Sequence, residues 1–199
     1  MSMILTLSRN YCSVRTLGVR QLSFFDKADR SWEKAWSQNL TPWDTGNFCK
    51  PLVDEVKSGA ITIATPSRAL VPGCGSGHDC FFLHESGFSE VIGLDLSQTA
   101  IDVCNATTLY PAYAKESIKF ECADFFSYEN GKFDFVFDYL FFSALDPDLR
   151  GQWATSMARQ LTPHRGRLFT LMFPVDGSKG SKDGPPYNVH PDDYKVLEA

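Results

Sequence analysis

The sequence predicts an α/β fold, a mostly parallel central sheet with helices on both faces, and three observations predict it. From Arg68 onward, short apolar segments alternate with helical patterns, the signature of parallel strands joined by crossover helices. The first apolar segment runs into a glycine turn, Ala69-Leu-Val-Pro-Gly-Cys-Gly-Ser-Gly-His-Asp-Cys80. The next, Val91-Ile-Gly-Leu-Asp95, ends on a carboxylate at about the distance of one βαβ unit. A chain of 199 residues is long enough for one domain with a substantial core.

The elements follow in order. Residues 1–25 carry Arg9, Arg15 and Arg20, with no acidic residue before Asp26. Wound as a helix, they place Ile4, Leu7, Tyr11 and Val14 on one side. Such a start resembles an organellar transit peptide, which points to a mitochondrion or another organelle; the alternative is a disordered arm on a cytoplasmic protein. The folded unit is expected from Ser31. Trp32 and Trp36 lie one helical turn apart and share a face, while Pro42 and Gly46 leave Trp43 in a loop. Residues 47–57 read as a helix with Phe48, Leu52, Val53 and Val56 inward.

Strands are expected at 69–71, 91–95, 118–122, 133–138 and 167–173, and helices at 77–86 and, capped by Ser97, at 97–107. A further helix starts at Pro147, with Leu149, Trp153, Met157 and Leu161 recurring at intervals of four. Residues 174–186, rich in Gly, Ser, Lys and Asp, form a mobile loop after the last strand, either a lid or a solvated connector. In such sheets ligands bind at the carboxyl ends of the strands, here Gly73, Asp95, Asp124 and Tyr139.

Composition removes several function classes. A formal charge of -5 with scattered Lys and Arg leaves no basic stripe for nucleic acid, so a small molecule is the expected partner. No apolar run reaches the length of a membrane span. The six cysteines form no C-x-x-C pair and have no histidines at finger-like spacing, so no metal site is expected. Cys104 and Cys122, inside a predicted helix and strand, read as small hydrophobes in a reducing compartment.

The glycine turn narrows the ligand. Its spacing is G-x-G-x-G, with His78 where the dinucleotide fingerprint needs its last glycine, so a mononucleoside fits better than NAD. Asp95 suits the two ribose hydroxyls. His78 reads as helix-start packing, and Asp134 and Asp138 as structural.

On these positions, residues 31–194 resemble the S-adenosylmethionine-dependent class I methyltransferases, and within them the thiopurine methyltransferase superfamily. The matching pieces are Trp32-x-x-x-Trp36, Pro42-Trp43-Asp44, Val71-Pro-Gly-Cys-Gly-Ser-Gly77, Gly93-Leu-Asp-Leu-Ser97, Asp138-Tyr139 and Gly184-Pro-Pro-Tyr187. Tyr139 and the run Phe141-Phe142-Ser143-Ala144-Leu145 look more like the halide/thiol (thiocyanate) branch than the thiopurine branch, which carries an arginine at the position of Tyr139.

The resemblance implies a Rossmann-like class I fold and S-adenosyl-L-methionine held by Trp32, Trp36, Trp43, Gly73, Gly75, Asp95, Asp124 and Phe125. It also implies a wall of Tyr139, Phe141 and Phe142 facing a small thiol or halide, with Tyr139 as the residue acting on the acceptor. A monomer is expected. The family continues through another helix and a final pair of strands, so an end at Glu198-Ala199 is expected to leave an open sheet edge and unburied apolar surface. The rival readings are a methyltransferase-like binding protein without turnover and, in another enzyme class, a nicotinamide-dependent oxidoreductase.

Overall fold

The computed structural model describes residues 25–108, 110–111, 114–175 and 184–197. Two short helices lead in, α1 (Trp32–Ser37) and α2 (Lys50–Lys57). Strand β1 (Arg68–Pro72), helix α3 (His78–Glu85), β2 (Glu90–Asp95), α4 (Gln98–Ala106), the single turn α5 (Ala114–Ser117) and β3 (Ile118–Cys122) follow. After them come β4 (Phe135–Tyr139), the turn α6 (Phe141–Ala144), α7 (Arg150–Gln160) and β5 (Arg167–Leu171). The strands form one sheet in the order β3-β2-β1-β4-β5. Every pairing is parallel, with Val71 beside Gly93, Asp95 beside Cys122 and Tyr139 beside Leu171.

Strand periodicity builds two cores. Alternate residues point to opposite faces. Ala69, Val71, Val91, Phe135 and Phe137 therefore meet Leu52, Phe81 and Leu83 on one face, while Leu70, Ile92, Val136 and Leu168 meet Trp153 and Met157 on the other. Each large side chain so buried contributes about 1.5–3 kcal/mol.

Several expectations shift. The helix predicted from Pro147 begins as a 3-10 turn, Pro147–Leu149, which leaves Leu149 on the surface while Trp153, Met157 and Leu161 are buried. The helix expected over 47–57 starts at Lys50, with Pro51 in its first turn, where a missing N–H costs nothing. Strand β4 starts two residues later than predicted, because Phe133 only bridges Leu161. Cys104 is buried, but Cys122 is exposed at the end of its strand and is no hydrophobic filler.

Both ends of the folded unit also differ from expectation. Phe25, assigned from sequence to a transit peptide or disordered arm, is buried and packs on Trp32 at 4.5 Å, so the folded unit reaches at least to it. The proposed transit segment otherwise lies outside the described residues, as does most of the loop over 174–186. No strand pairs with the far side of β5 among the described residues, yet Leu168–Leu171 are at most 7% exposed. The strand's side chains are therefore buried, though Val175 just beyond it is 44% exposed, and residues 184–197 fold back against α7. Tyr194 packs against Phe142 at 4.4 Å and Trp153 at 6.1 Å. No helix among the described residues is long and apolar enough to cross a membrane.

Candidate active site

A cavity opens at the carboxyl ends of β1, β2 and β4, where sheets of this type hold ligands. Its floor is the glycine turn. Gly73 and Gly75 have φ of +62° and +54°, a backbone region costly for residues with a Cβ. A Cβ at Gly73 would sit 2.7 Å from Phe141, and one at Gly75 would sit 3.3 Å from Trp36. The turn is therefore bare backbone, closely roofed by aromatic rings.

Asp95 stands at the end of β2. Its Oδ2 accepts the Gly75 N–H at 3.0 Å and its Oδ1 accepts the Ser97 N–H at 2.9 Å. Burial raises its pKa above the ordinary carboxylate value against the opposing pull of these N–H donors. A carboxylate has about four acceptor directions, so two backbone bonds orient the group and leave capacity for a pair of ligand hydroxyls. Asp124 begins a turn, with Oδ1 accepting the Phe126 N–H at 2.9 Å, and it lines the cavity as well. Phe125 is buried edge-on to Phe141 at 5.2 Å and contributes to the same wall.

The tryptophans close one side. Ser31 caps α1 by accepting the Lys34 N–H, and Trp32 and Trp36 both reach the cavity from that helix. Trp43 meets Trp32 at 5.4 Å and Trp36 at 6.5 Å, both edge-on. Packing and lining are not alternatives here, since Trp36 is 7% exposed and does both.

At the end of β4, Tyr139 lines the cavity and stacks over Phe137. Leu140 follows with φ +67°, a left-handed conformation that costs a bulky residue on the order of 1 kcal/mol or more. That reversal sends Phe141 into the cavity and Phe142 the opposite way. Phe142, expected in the acceptor wall, is 1% exposed and packs on Trp153 at 4.6 Å, so it belongs to the core. Beneath the turn, buried Asp138 accepts the indole N–H of Trp153 at 2.8 Å and the Phe142 N–H at 3.1 Å. Burial pushes its pKa up to about 6.

The structure adds residues that sequence reasoning did not assign to the site. His78 is more than helix-start packing: it lines the cavity, its Nδ1 lies 2.7 Å from the Tyr110 hydroxyl, and its Nε2 lies 4.0 Å from Asp44. Asp79 lines it too, accepts the Cys49 N–H at 2.7 Å, and has its pKa raised to about 7 by burial. Leu96 presents a 57% exposed side chain beside Asp95. Asp44, Asp79, Asp95 and Asp124 thus face a cavity whose only ionisable basic side chain, among the described residues, is His78. Position was the available signal: Asp44 follows Trp43, Asp79 follows the glycine turn, and Leu96 follows Asp95.

A bare glycine turn, an oriented carboxylate, an aromatic enclosure and an excess of acid suit a nucleoside that carries positive charge. Comparison with known proteins agrees. The chain matches the family described as Thiopurine S-methyltransferase (TPMT) over residues 27–198. It is 40% identical to probable thiol methyltransferase 2 of Arabidopsis thaliana over 86% of this chain and 73% of that protein. It is also 40% identical to thiocyanate methyltransferase 1 of Brassica oleracea, over 82% of this chain and 69% of that one. A solved structure described as "Conversion of a Disulfide Bond into a Thioacetal Group during Echinomycin Biosynthesis" superposes with a TM-score of 0.61 at 25% identity, covering 79% of this chain and 69% of the other. The glycine turn followed by an acid-ended strand is thus part of a longer likeness spanning nearly all described residues, and the chain belongs to the thiopurine S-methyltransferase family of S-adenosylmethionine-dependent, Rossmann-like methyltransferases.

Proposed function

We propose that this protein moves the methyl group of S-adenosylmethionine onto a small soft nucleophile, a thiol, hydrosulfide, thiocyanate or halide. The observation that carries this reading is how charge is sorted in the cavity. Carboxylates cluster around the glycine turn and the tryptophans, whereas the end of β4 presents Tyr139, Leu140 and Phe141, joined by Phe173, Pro185 and Pro186, with no charged side chain.

The residues present fit the cofactor. Asp95 would accept the ribose hydroxyls and Asp124 the adenine amino group, and Leu96 and Phe125 would flank the base. Trp32, Trp36 and Trp43 would hold the positive sulfur, each cation–π contact contributing roughly 0.5–2 kcal/mol. When bound, the cofactor would supply an electrophilic methyl group, the acceptor lone pair forming its bond to that carbon as the carbon–sulfur bond breaks and S-adenosylhomocysteine leaves. The chain's own contribution is to orient and to exclude water. Tyr139 donates its phenolic hydrogen to the incoming anion, and Phe141 keeps that end dry. Halides and thiocyanate need no base, and a thiol is partly ionised near neutral pH. A phenol in place of a guanidinium suits a monoanion without a carboxylate. The names of the thiol and thiocyanate methyltransferase relatives support the same class of acceptor.

The test is methyl transfer from labelled S-adenosylmethionine to iodide, thiocyanate, hydrosulfide, a small neutral thiol and a carboxylated aromatic thiol. The expected order places all of the first four above the last. Efficient methylation of the carboxylated thiol with no transfer to iodide or hydrosulfide overturns the acceptor assignment and leaves the methyltransferase assignment standing.

A further inference from the structure

Glu33 follows Trp32 on the outer face of α1. By position alone it is an ordinary acid in a helix's first turn, where the macrodipole favours it. Its side chain reaches elsewhere, across to the start of α4. Oε2 accepts the Ser97 hydroxyl at 2.7 Å and the Thr99 N–H at 3.2 Å, and Oε1 accepts the Thr99 hydroxyl at 2.5 Å. One carboxylate thus takes three hydrogen bonds from a helix more than sixty residues away in sequence.

Those bonds continue into the site. Ser97 donates its N–H to Asp95, whose other oxygen accepts the Gly75 N–H. Glu33, Ser97, Asp95 and Gly75 therefore form an unbroken polar run. It joins the helix bearing Trp32 and Trp36 to the carboxylate and turn those rings cover. Trp36 closes the loop by lying against Gly75. A helix of six residues has little stability of its own, so α1 holds its place only through such contacts.

We infer that Glu33, by bonding Ser97 and Thr99, latches the tryptophan-bearing helix over the cofactor cavity and so sets cofactor affinity, a role that rests on the S-adenosylmethionine reading above. Glu33 does not line the cavity, so it acts as a positioning residue through Trp32, Trp36 and Asp95.

The test measures S-adenosylmethionine binding by calorimetry and turnover at saturating cofactor for wild type, Glu33→Ala, Glu33→Gln, Thr99→Val and the Glu33→Ala/Thr99→Val pair, with thermal unfolding of each. Glu33→Ala weakens binding about tenfold while kcat at saturation stays within about twofold, because only the placing of the cover is lost. Glu33→Gln recovers to within about threefold of wild type, since its amide oxygen replaces Oε2 and its amide nitrogen can donate to the Thr99 hydroxyl. Thr99→Val costs about threefold and adds little on top of Glu33→Ala, as partners in one contact do. Wild-type protein that binds no S-adenosylmethionine overturns the cofactor reading itself. If wild type binds, then Glu33→Ala and Thr99→Val within twofold of it overturn the latch, as does lower kcat at unchanged affinity. Should Glu33→Ala fail to fold, Thr99→Val decides: wild-type affinity in it overturns the latch, and a threefold loss restored by Thr99→Ser supports it.

Discussion

The two ends of the cavity are built differently. At the glycine turn, the functional groups are stitched by short backbone bonds: Asp95 to Gly75 and Ser97, Asp124 to Phe126, Asp79 to Cys49. At the end of β4, the wall is held from beneath by a buried carboxylate and by a segment from the far end of the chain. Asp138 ties Phe142 to Trp153. The Tyr187 N–H donates to the Ser143 carbonyl at 2.6 Å, and Tyr194 covers Phe142. The first end is held by backbone N–H groups that orient its carboxylates, and it suits a ligand shared across a whole family. The second is held by packed side chains, so its shape can vary while the first stays fixed.

The comparison breaks most visibly at Asp138. Asp138→Ala strands two buried donors, the Trp153 indole and the Phe142 N–H, and is expected to cost about 2–5 kcal/mol of stability. Urea unfolding checks the loss, and turnover should fall with it. Equal stability to wild type would mean that the β4 end is not held from beneath. Next comes Asp95→Ala, which removes both the proposed ribose acceptor and the brace between the glycine turn and the start of α4. Cofactor affinity is expected to weaken by about 1.5–3 kcal/mol, tenfold to a hundredfold. Unchanged affinity by calorimetry removes Asp95 from the site.

A smaller change sharpens the contrast. Tyr139→Phe keeps the ring and removes the hydroxyl, so turnover should drop about tenfold while cofactor affinity stays nearly constant, because the proposed role of the hydroxyl is on the acceptor and not on the nucleoside. Steady-state kinetics with thiocyanate and calorimetry with cofactor separate the two. Tyr139→Arg is expected to shift preference toward carboxylated thiols. Loss of cofactor affinity without loss of turnover would reverse the assignment of the two ends.

This division also explains what could be read from residues alone. The glycine turn and Asp95 are legible because close backbone approach and an acid at a strand end leave marks a few residues long. The strands and most helices follow from periodicity in the same way. Phe142 misled because an aromatic run shows no alternation, and only the left-handed Leu140 decides which ring turns inward. Leu149 matched a helical stripe, but Pro147 sets a tighter turn there that rotates it to the surface. Glu33, Tyr187 and Tyr194 act on partners that the sheet topology brings near, and no local pattern announces such partners. Phe25 was assigned to the arm because composition marks where acidic residues begin, not where burial begins.

The smallest predicted effect lies at Asp79, on the side held by backbone N–H groups. Its folded pKa is raised from the usual 3.8 to about 7 because burial opposes the charge, and the Cys49 N–H only partly offsets this. The folded protein therefore holds a proton that the unfolded chain has already released between about pH 4 and 7. Stability contributed by that proton is present at the acid end, falls as pH rises through the window, and is gone above it. Asp138 and Asp95, also shifted upward, give slopes of the same sign. Asp79→Asn cannot ionise, yet its amide oxygen still accepts from Cys49. The variant should show a shallower fall in thermal stability from pH 4.5 to 7, with the remaining slope left by the other two carboxylates. At pH 8 it should exceed wild type by on the order of 1 kcal/mol. A variant with the wild-type slope, or one less stable at pH 8, would show that Asp79 is ionised at little cost and that the carboxylates around the glycine turn are better solvated than their enclosure implies.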